Sequence, residues 1–224
     1  MSVAFLIVEA FLYGIILTSG GDLLVYSCFS SIVICFVHAL IHLKQGDKFL
    51  IVGLACTVMA DLCLVVWSPV QRLWGMVFFL AAQSLYAIRL HRQIRSNALL
   101  IIRISLTVVA LAVTVIVLKE ATDALALVSL CYYANLIMNI VTAFADFRSN
   151  KLLSIGFALF LLCDTVIGLQ VACGGYLPIE DGSLLHQIIF MPFNLAWFFY
   201  LPSQVLISLS AKNTASKLPC FLFY

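Results

Sequence analysis

Charge is scarce in this chain. Only 10% of its 224 residues are Asp, Glu, Lys or Arg, against 64% hydrophobic, and the mean hydropathy is +1.16. A soluble domain of this length could not cover its surface with so few polar groups. The alternation of apolar and polar residues that a membrane barrel requires is missing too. No cysteines stand in a C-x2-C pair, so neither a zinc site nor a disulfide framework is expected. Cys28, Cys35, Cys56, Cys63, Cys131 and Cys163 fall inside apolar runs and read as small packing residues. There is no polar linker and no basic segment ahead of the first apolar run, which argues against a cleaved signal peptide. The net charge of +2 carries no signal for nucleic acid.

What is present is a series of long apolar runs. Eight can be read, over 3–17, 23–41, 49–67, 73–90, 98–118, 124–144, 152–172 and 184–209, the first being the shortest. A hydrocarbon core of about 30 Å takes roughly 20 helical residues to cross. In lipid every backbone polar group must be paired within the segment, which leaves helices. The expectation is therefore an all-α polytopic membrane protein of eight transmembrane helices. It would form one membrane domain over 1–211 and a short cytoplasmic tail over 212–224.

The basic residues set the orientation. Lys44, Lys48, Arg89, Arg92, Arg95, Arg148, Lys151, Lys212 and Lys217 lie in the loops after runs two, four and six or in the tail, and Arg103 lies just inside run five. The opposite loops hold only Arg72 and Lys119. The positive-inside rule then puts both termini in the cytoplasm, in the plasma membrane or an endomembrane.

Two aspartates sit deep in these runs at matching positions. Gly53 to Asp61 and Gly156 to Asp164 both read G-[LF]-A-x5-D, each Asp 13 residues after a lysine, Lys48 or Lys151. Gln83 and Gln204 form a second matched pair in the runs that follow. The repeat reads as two parallel four-helix halves with a site between them; a shared use of small residues at helix contacts would also account for it. A carboxylate at membrane depth costs roughly 2.5–3.5 kcal/mol on insertion scales, so such residues usually mark function. No Lys or Arg lies inside an apolar run except Arg103, near an inner end, so the aspartates have no evident counter-ion. Glu9 is a third buried acid. Asn135, Asn139, Gln170, Asn194, Tyr86, Tyr132, Tyr133 and Tyr200 add polar groups whose simplest role is bonding between helices. His38 and His42 have ligand spacing but no acidic partner nearby, and are read as structural.

The stretch from Gly53 to Tyr86 resembles the signature of the YhhN-like lysoplasmalogenases. It has a Gly with an Asp eight residues later, then Gly75-x3-Phe79-x3-Gln83-x2-Tyr86. Tyr133 with Met138, Gly156 through Phe160 to Asp164, and Tyr200-Leu201-Pro202-Ser203-Gln204-Val205-Leu206-Ile207 resemble further pieces of that family. Together they cover more than half of the chain in the family's order. The chain departs from the pattern at Ala60, Cys163 and Gln83, where the family has Gly, Ser and His. Gln83 matters most, because an amide cannot carry a proton.

The resemblance implies an eight-helix enzyme that splits the vinyl ether bond of lysoplasmalogens into a fatty aldehyde and a glycerophospho-base. Asp61 and Asp164 would be the catalytic pair. Gln83, Tyr86, Tyr133, Asn135, Tyr200, Gln204 and Glu9 would bind substrate or support the pair, with no metal and no organic cofactor. Two carboxyls suit an oxocarbenium-like transition state, as in glycoside hydrolysis. A proton-coupled transporter using the same carboxyls is the competing reading. The elements of an intramembrane aspartyl protease, G-x-G-D and P-A-L, are absent.

Overall fold

In the computed structural model, residues 2–42, 47–67, 71–119, 123–175, 183, 186–187, 191 and 193–211 are described. The tail over 212–224, much of the loop over 173–183 and most of the start of the eighth run lie outside them. The described residues contain eight α-helices and no strand. They are α1 (Ser2–Thr18), α2 (Gly21–Ile41), α3 (Lys48–Asp61), α4 (Arg72–Ile94), α5 (Asn97–Leu118), α6 (Ala124–Ala145), α7 (Phe147–Gly175) and α8 (Leu195–Leu209). A π-helical turn, Leu62–Val66, continues α3 directly after Asp61.

Six of these helices are long and apolar enough to cross a membrane; α1 and α8, at 17 and 15 residues, are shorter. At 1.5 Å per residue, α8 spans about 22 Å, less than a hydrocarbon core.

Local chemistry sets the boundaries. Asp47, Ser96, Asp123 and Asn194 cap α3, α5, α6 and α8, each accepting a backbone N–H of the first turn. Arg95, in the left-handed region at φ 51°, ends α4. Asn150 (φ −124°, ψ 28°) breaks the first turn of α7. Pro202 lies inside α8 and cannot donate to the Phe198 carbonyl. The Tyr13 hydroxyl of α1 donates to that carbonyl instead, at 3.0 Å.

The helix neighbours repeat. α3 packs on α4 and α2; α7 packs on α8 and α6. α1 packs on α2 as α5 packs on α6, and α2 meets α8 as α6 meets α4. The buried faces repeat with them. A shift by the 103 residues that separate Asp61 from Asp164 carries the buried Leu50, Ile51, Gly53, Leu54, Thr57 and Ala60 onto Leu153, Ser154, Gly156, Phe157, Phe160 and Cys163, all buried. A shift by the 121 residues between Gln83 and Gln204 carries every buried residue of α4 (Gly75, Phe79, Ala82, Gln83, Tyr86, Arg89 and Leu90) onto a buried one: Ala196, Tyr200, Ser203, Gln204, Ile207, Ser210 and Ala211. Cys28, Ile32, Cys35, His38 and Ala39 of α2 likewise fall on Tyr132, Leu136, Asn139, Thr142 and Ala143 of α6.

The contacts behind the repeat are specific. A Cβ on Gly53 would stand 2.3 Å from the Tyr86 ring, and one on Gly156 would stand 2.9 Å from Ile207, which is the position equivalent to Tyr86. The two glycines therefore let α3 approach α4, and α7 approach α8, at matching points. The neighbours and buried positions of the first four helices thus recur in the last four. The main core lies where the halves meet, with Leu54, Phe79, Tyr86, Leu136, Phe157, Phe160 and Tyr200 among its members. α5 is the most peripheral helix, its isoleucines and valines largely exposed.

Candidate active site

α3 and α7 deliver their aspartates into the same core. Asp61 is buried at 3% exposure, at the point where the α-helix gives way to the π turn. Such turns are often found at functional positions. Asp164 keeps partial exposure, within the continuous helix α7. The two carboxyl groups lie near one another. No direct hydrogen bond joins the carboxyls; each is held by a tyrosine. Tyr200 of α8 donates to Asp61 Oδ2 at 2.6 Å. Tyr132 of α6 donates to Asp164 Oδ2. Among the described residues neither carboxyl makes an ion pair.

Aromatic rings connect the two tyrosines. Phe160 meets Tyr200 edge-on at 5.3 Å and Tyr132 at 6.4 Å, and Phe79 lies 5.7 Å from Phe160 and 5.6 Å from Tyr132. Trp197 closes against Tyr200 at 4.9 Å.

The repeated frame carries an asymmetric site. The position equivalent to Tyr200 in the other half is Phe79, which has no hydroxyl, and the position equivalent to Tyr132 is Cys28, which lies within electrostatic reach of Asp61. One carboxyl thus takes its tyrosine from the opposite half, the other from its own.

Sequence reasoning selected Tyr133 in α6, whose hydroxyl instead meets Thr165 at 3.1 Å. The partner of Asp164 is the adjacent Tyr132. The signal was available in the helical spacing of Tyr132, Leu136, Asn139 and Ala143, which places Tyr132 on the buried face.

A polar layer adjoins the carboxyls. Asn139 donates through Nδ2 to the Gln83 carbonyl at 2.8 Å and to its Oε1 at 2.7 Å. Gln204 donates to Ser203 Oγ at 3.3 Å, and Ser203 to the Tyr200 carbonyl at 2.7 Å. Tyr86 is fully buried against Gly53 and Phe157, near Thr57. Gln83 Nε2, Asn139 Oδ1 and Gln204 Oε1 are buried without a hydrogen-bond partner among the described residues. Buried polar atoms are normally paired, so unpaired ones in the core suit a polar guest.

Two expected residues sit elsewhere. Glu9 is buried between α1 and α2, where the Cys35 thiol donates to its Oε1 at 3.6 Å. Glu9 thus meets the Cys35 thiol rather than the carboxyl pair. Asn135 faces α4 and α5, donating to Ser84 at 3.3 Å and accepting from Arg103. His38 meets Ser208 at 2.9 Å and stacks on Phe5, and His42 meets the His38 carbonyl. His38 is thereby built into the contacts among α1, α2 and α8, and His42 packs on His38 at the end of α2. No group of three or more His, Cys, Asp or Glu that could hold a metal ion is found among the described residues.

The family model described as YhhN family matches residues 23–211, most of the chain, including both aspartates and every helix but α1. No curated protein and no solved structure matches the chain.

Proposed function

The chain belongs to the YhhN family, and on that premise we propose that it is a membrane-embedded lysoplasmalogenase, eight helices deep with both termini cytoplasmic, that hydrolyses vinyl ethers with Asp61 and Asp164. The observation that carries this reading is the carboxyl pair: two aspartates from matched helices, each fixed by a tyrosine, sharing an aromatic wall and lacking a cation. An isolated structural aspartate would need a partner to offset its burial.

A vinyl ether is hydrolysed by protonation of its β-carbon, which gives an oxocarbenium ion. Water then adds to the cationic carbon, and the hemiacetal collapses to an aldehyde and an alcohol. Asp61, the more enclosed, is assigned the acid that delivers the proton. Asp164, the less enclosed, is assigned the carboxylate that faces the cation and takes a proton from the attacking water. In the collapse of the hemiacetal Asp164 returns its proton to the leaving ether oxygen and Asp61 takes the hemiacetal hydroxyl proton, which releases the glycerophospho-alcohol and the aldehyde and restores the pair for the next turnover. Tyr200 and Tyr132 orient the pair, and the aromatic wall of Phe79, Phe160 and the two tyrosines offers electron-rich faces to the developing cation. Gln83, Tyr86 and Gln204 bind the polar part of the substrate.

The test is aldehyde release by purified protein given a lysoplasmalogen, with an ester lysophospholipid as control. Aldehyde from the vinyl ether alone supports the reading. No release from folded protein overturns it and favours the competing proton-coupled transporter, which would move substrate unchanged.

A further inference from the structure

A cavity of about 170 Å³ opens at the inner ends of α4 and α5, away from the carboxyl pair. Its walls are mostly apolar, Ile88, Ile94 and Leu100 among them, and His91, Arg92 and Arg103 bring basic side chains to it. Its most distinctive member is Arg103, a half-buried guanidinium six residues into the apolar helix α5. A cation at that depth is costly unless something compensates it. Among the described residues Arg103 makes no ion pair. Its neutral partners are the Asn135 carbonyl, 3.4 Å from Nη1, the Asn135 side-chain oxygen, also reached by Nη1, and Thr142 Oγ1, 3.4 Å from Nη2. A guanidinium has five N–H donors in a fixed fork suited to phosphate, so these contacts orient it and leave donors for an anion at the cavity. His91 and Arg92 add basic groups at the mouth, where the positive-inside rule places the cytoplasmic headgroup level.

The cavity is tied to the carboxyls through α6. Asn135, which holds Arg103, lies three residues from Tyr132, which holds Asp164. That is about 4.5 Å of helix rise. Arg103 lies six residues from the start of α5, and Asp61 lies 13 residues beyond Lys48 at the start of α3. The difference is about 10 Å of depth, close to the extended reach from a phosphate across glycerol and the ether oxygen to the vinyl carbons. A single-chain lipid of the inner leaflet, with its phosphate at the cavity, would bring its ether bond to the carboxyl layer and send its alkyl chain deeper.

We propose that the cavity beside Arg103 is the subsite for the phosphate of the single-chain glycerophospholipid substrate, with Arg103 its principal ligand. This deepens the lysoplasmalogenase reading and rests on it for the substrate's identity, though not for the binding measurement. Arg103 would be a binding residue fixed by Asn135 and Thr142, and Asn135 its positioning residue.

The test is binding to full-length protein in phosphatidylcholine nanodiscs. The probes are a saturated 1-O-alkyl lysophosphatidylethanolamine, which cannot undergo vinyl ether hydrolysis, and the matching 1-O-alkylglycerol, which has no phosphate. Wild-type protein should prefer the phosphate-bearing probe. Arg103→Gln should weaken that probe about 10- to 100-fold, as loss of charge-assisted hydrogen bonds does, and leave the alkylglycerol unchanged. Arg103→Lys, which keeps the charge but not the fork, should fall between. Equal weakening of both probes would mark Arg103 as structural and overturn the proposal; so would no change in either. Displacement of the probe by inorganic phosphate or phosphatidylglycerol at matched concentration would show a general anion or bulk-lipid site, and would also overturn it. Should the Arg103-dependent preference hold while no vinyl ether is cleaved, the subsite stands and the catalytic reading falls.

Discussion

Tyr200 donates to Asp61 at 2.6 Å across 139 residues of sequence. Its counterpart in the other half of the molecule, Phe79, has no hydroxyl to offer Asp164, which is held by Tyr132 instead. The two carboxyls therefore lie in unlike surroundings on a repeated frame, and unlike surroundings are what separate acid and base roles in a carboxyl pair.

The first prediction concerns the pair itself. Asp61→Asn and Asp164→Asn keep size and most hydrogen bonds but remove the proton-carrying group. Each should lower vinyl ether turnover by at least about 10²-fold, the lower range of general acid–base contributions. Neither should unfold the protein. A variant that retains its thermal transition and full aldehyde release would make the aspartates structural.

The two neighbouring tyrosines of α6 should separate. Tyr132→Phe removes the hydroxyl that holds Asp164 and should reduce kcat about 10-fold or more with little change in Tm. Tyr133→Phe removes only the contact with Thr165 and should stay within about twofold of wild type. A solvent deuterium isotope effect or a pH–rate profile for each variant would show whether the Tyr132 effect acts on the proton-transfer step. Equal effects from both substitutions would contradict the assignment of Tyr132.

Close approach of the helices can be probed at glycine. Gly53→Ala would drive a methyl into the Tyr86 ring, so α3 and α4 must move apart. The expected cost is about 1–3 kcal/mol, the usual range for overpacking. Gly156→Ala, against Ile207 and the Ser203 carbonyl, should also destabilise. Gly14→Ala, where nothing lies within 4 Å, is the control. Detergent-monitored thermal unfolding of the three variants gives the order; a stable Gly53→Ala would refute the packing.

Gln83 holds the position where the family pattern has histidine. Gln83→Ala should weaken activity by less than the asparagine variants do, because an amide can orient but not transfer a proton. Gln83→His should leave activity unchanged or raise it. Loss of activity in Gln83→His, with folding intact, would show that the contact with Asn139 matters more than any gain from the imidazole.

Topology has its own measurement. With both termini cytoplasmic, an impermeant thiol reagent on intact cells should label Cys173 and spare Cys220. Labelling of Cys220 alone would reverse the orientation.

The sequence by itself determined the helical, membrane-type class of the protein and marked the aspartates on which its proposed chemistry rests. Long apolar runs with little charge can only be membrane helices, because lipid offers no partner to an open backbone. A carboxylate at that depth is costly enough to be conspicuous as text, so Asp61 and Asp164 could be found without coordinates. The repeat was legible as well, since G-[LF]-A-x5-D records where α3 and α7 must approach their neighbours. Tertiary structure alone decided which tyrosine meets which carboxyl. Tyr132 and Tyr133 are adjacent letters, but a helix turns about 100° between them, and only one faces Asp164. It also decided that Glu9 meets a thiol, and that Arg103, read first as a mark of topology, reaches across to α6 to bond Asn135. Those outcomes depend on how helices distant in sequence are rotated against one another, and apolar periodicity constrains that rotation only to the width of a face.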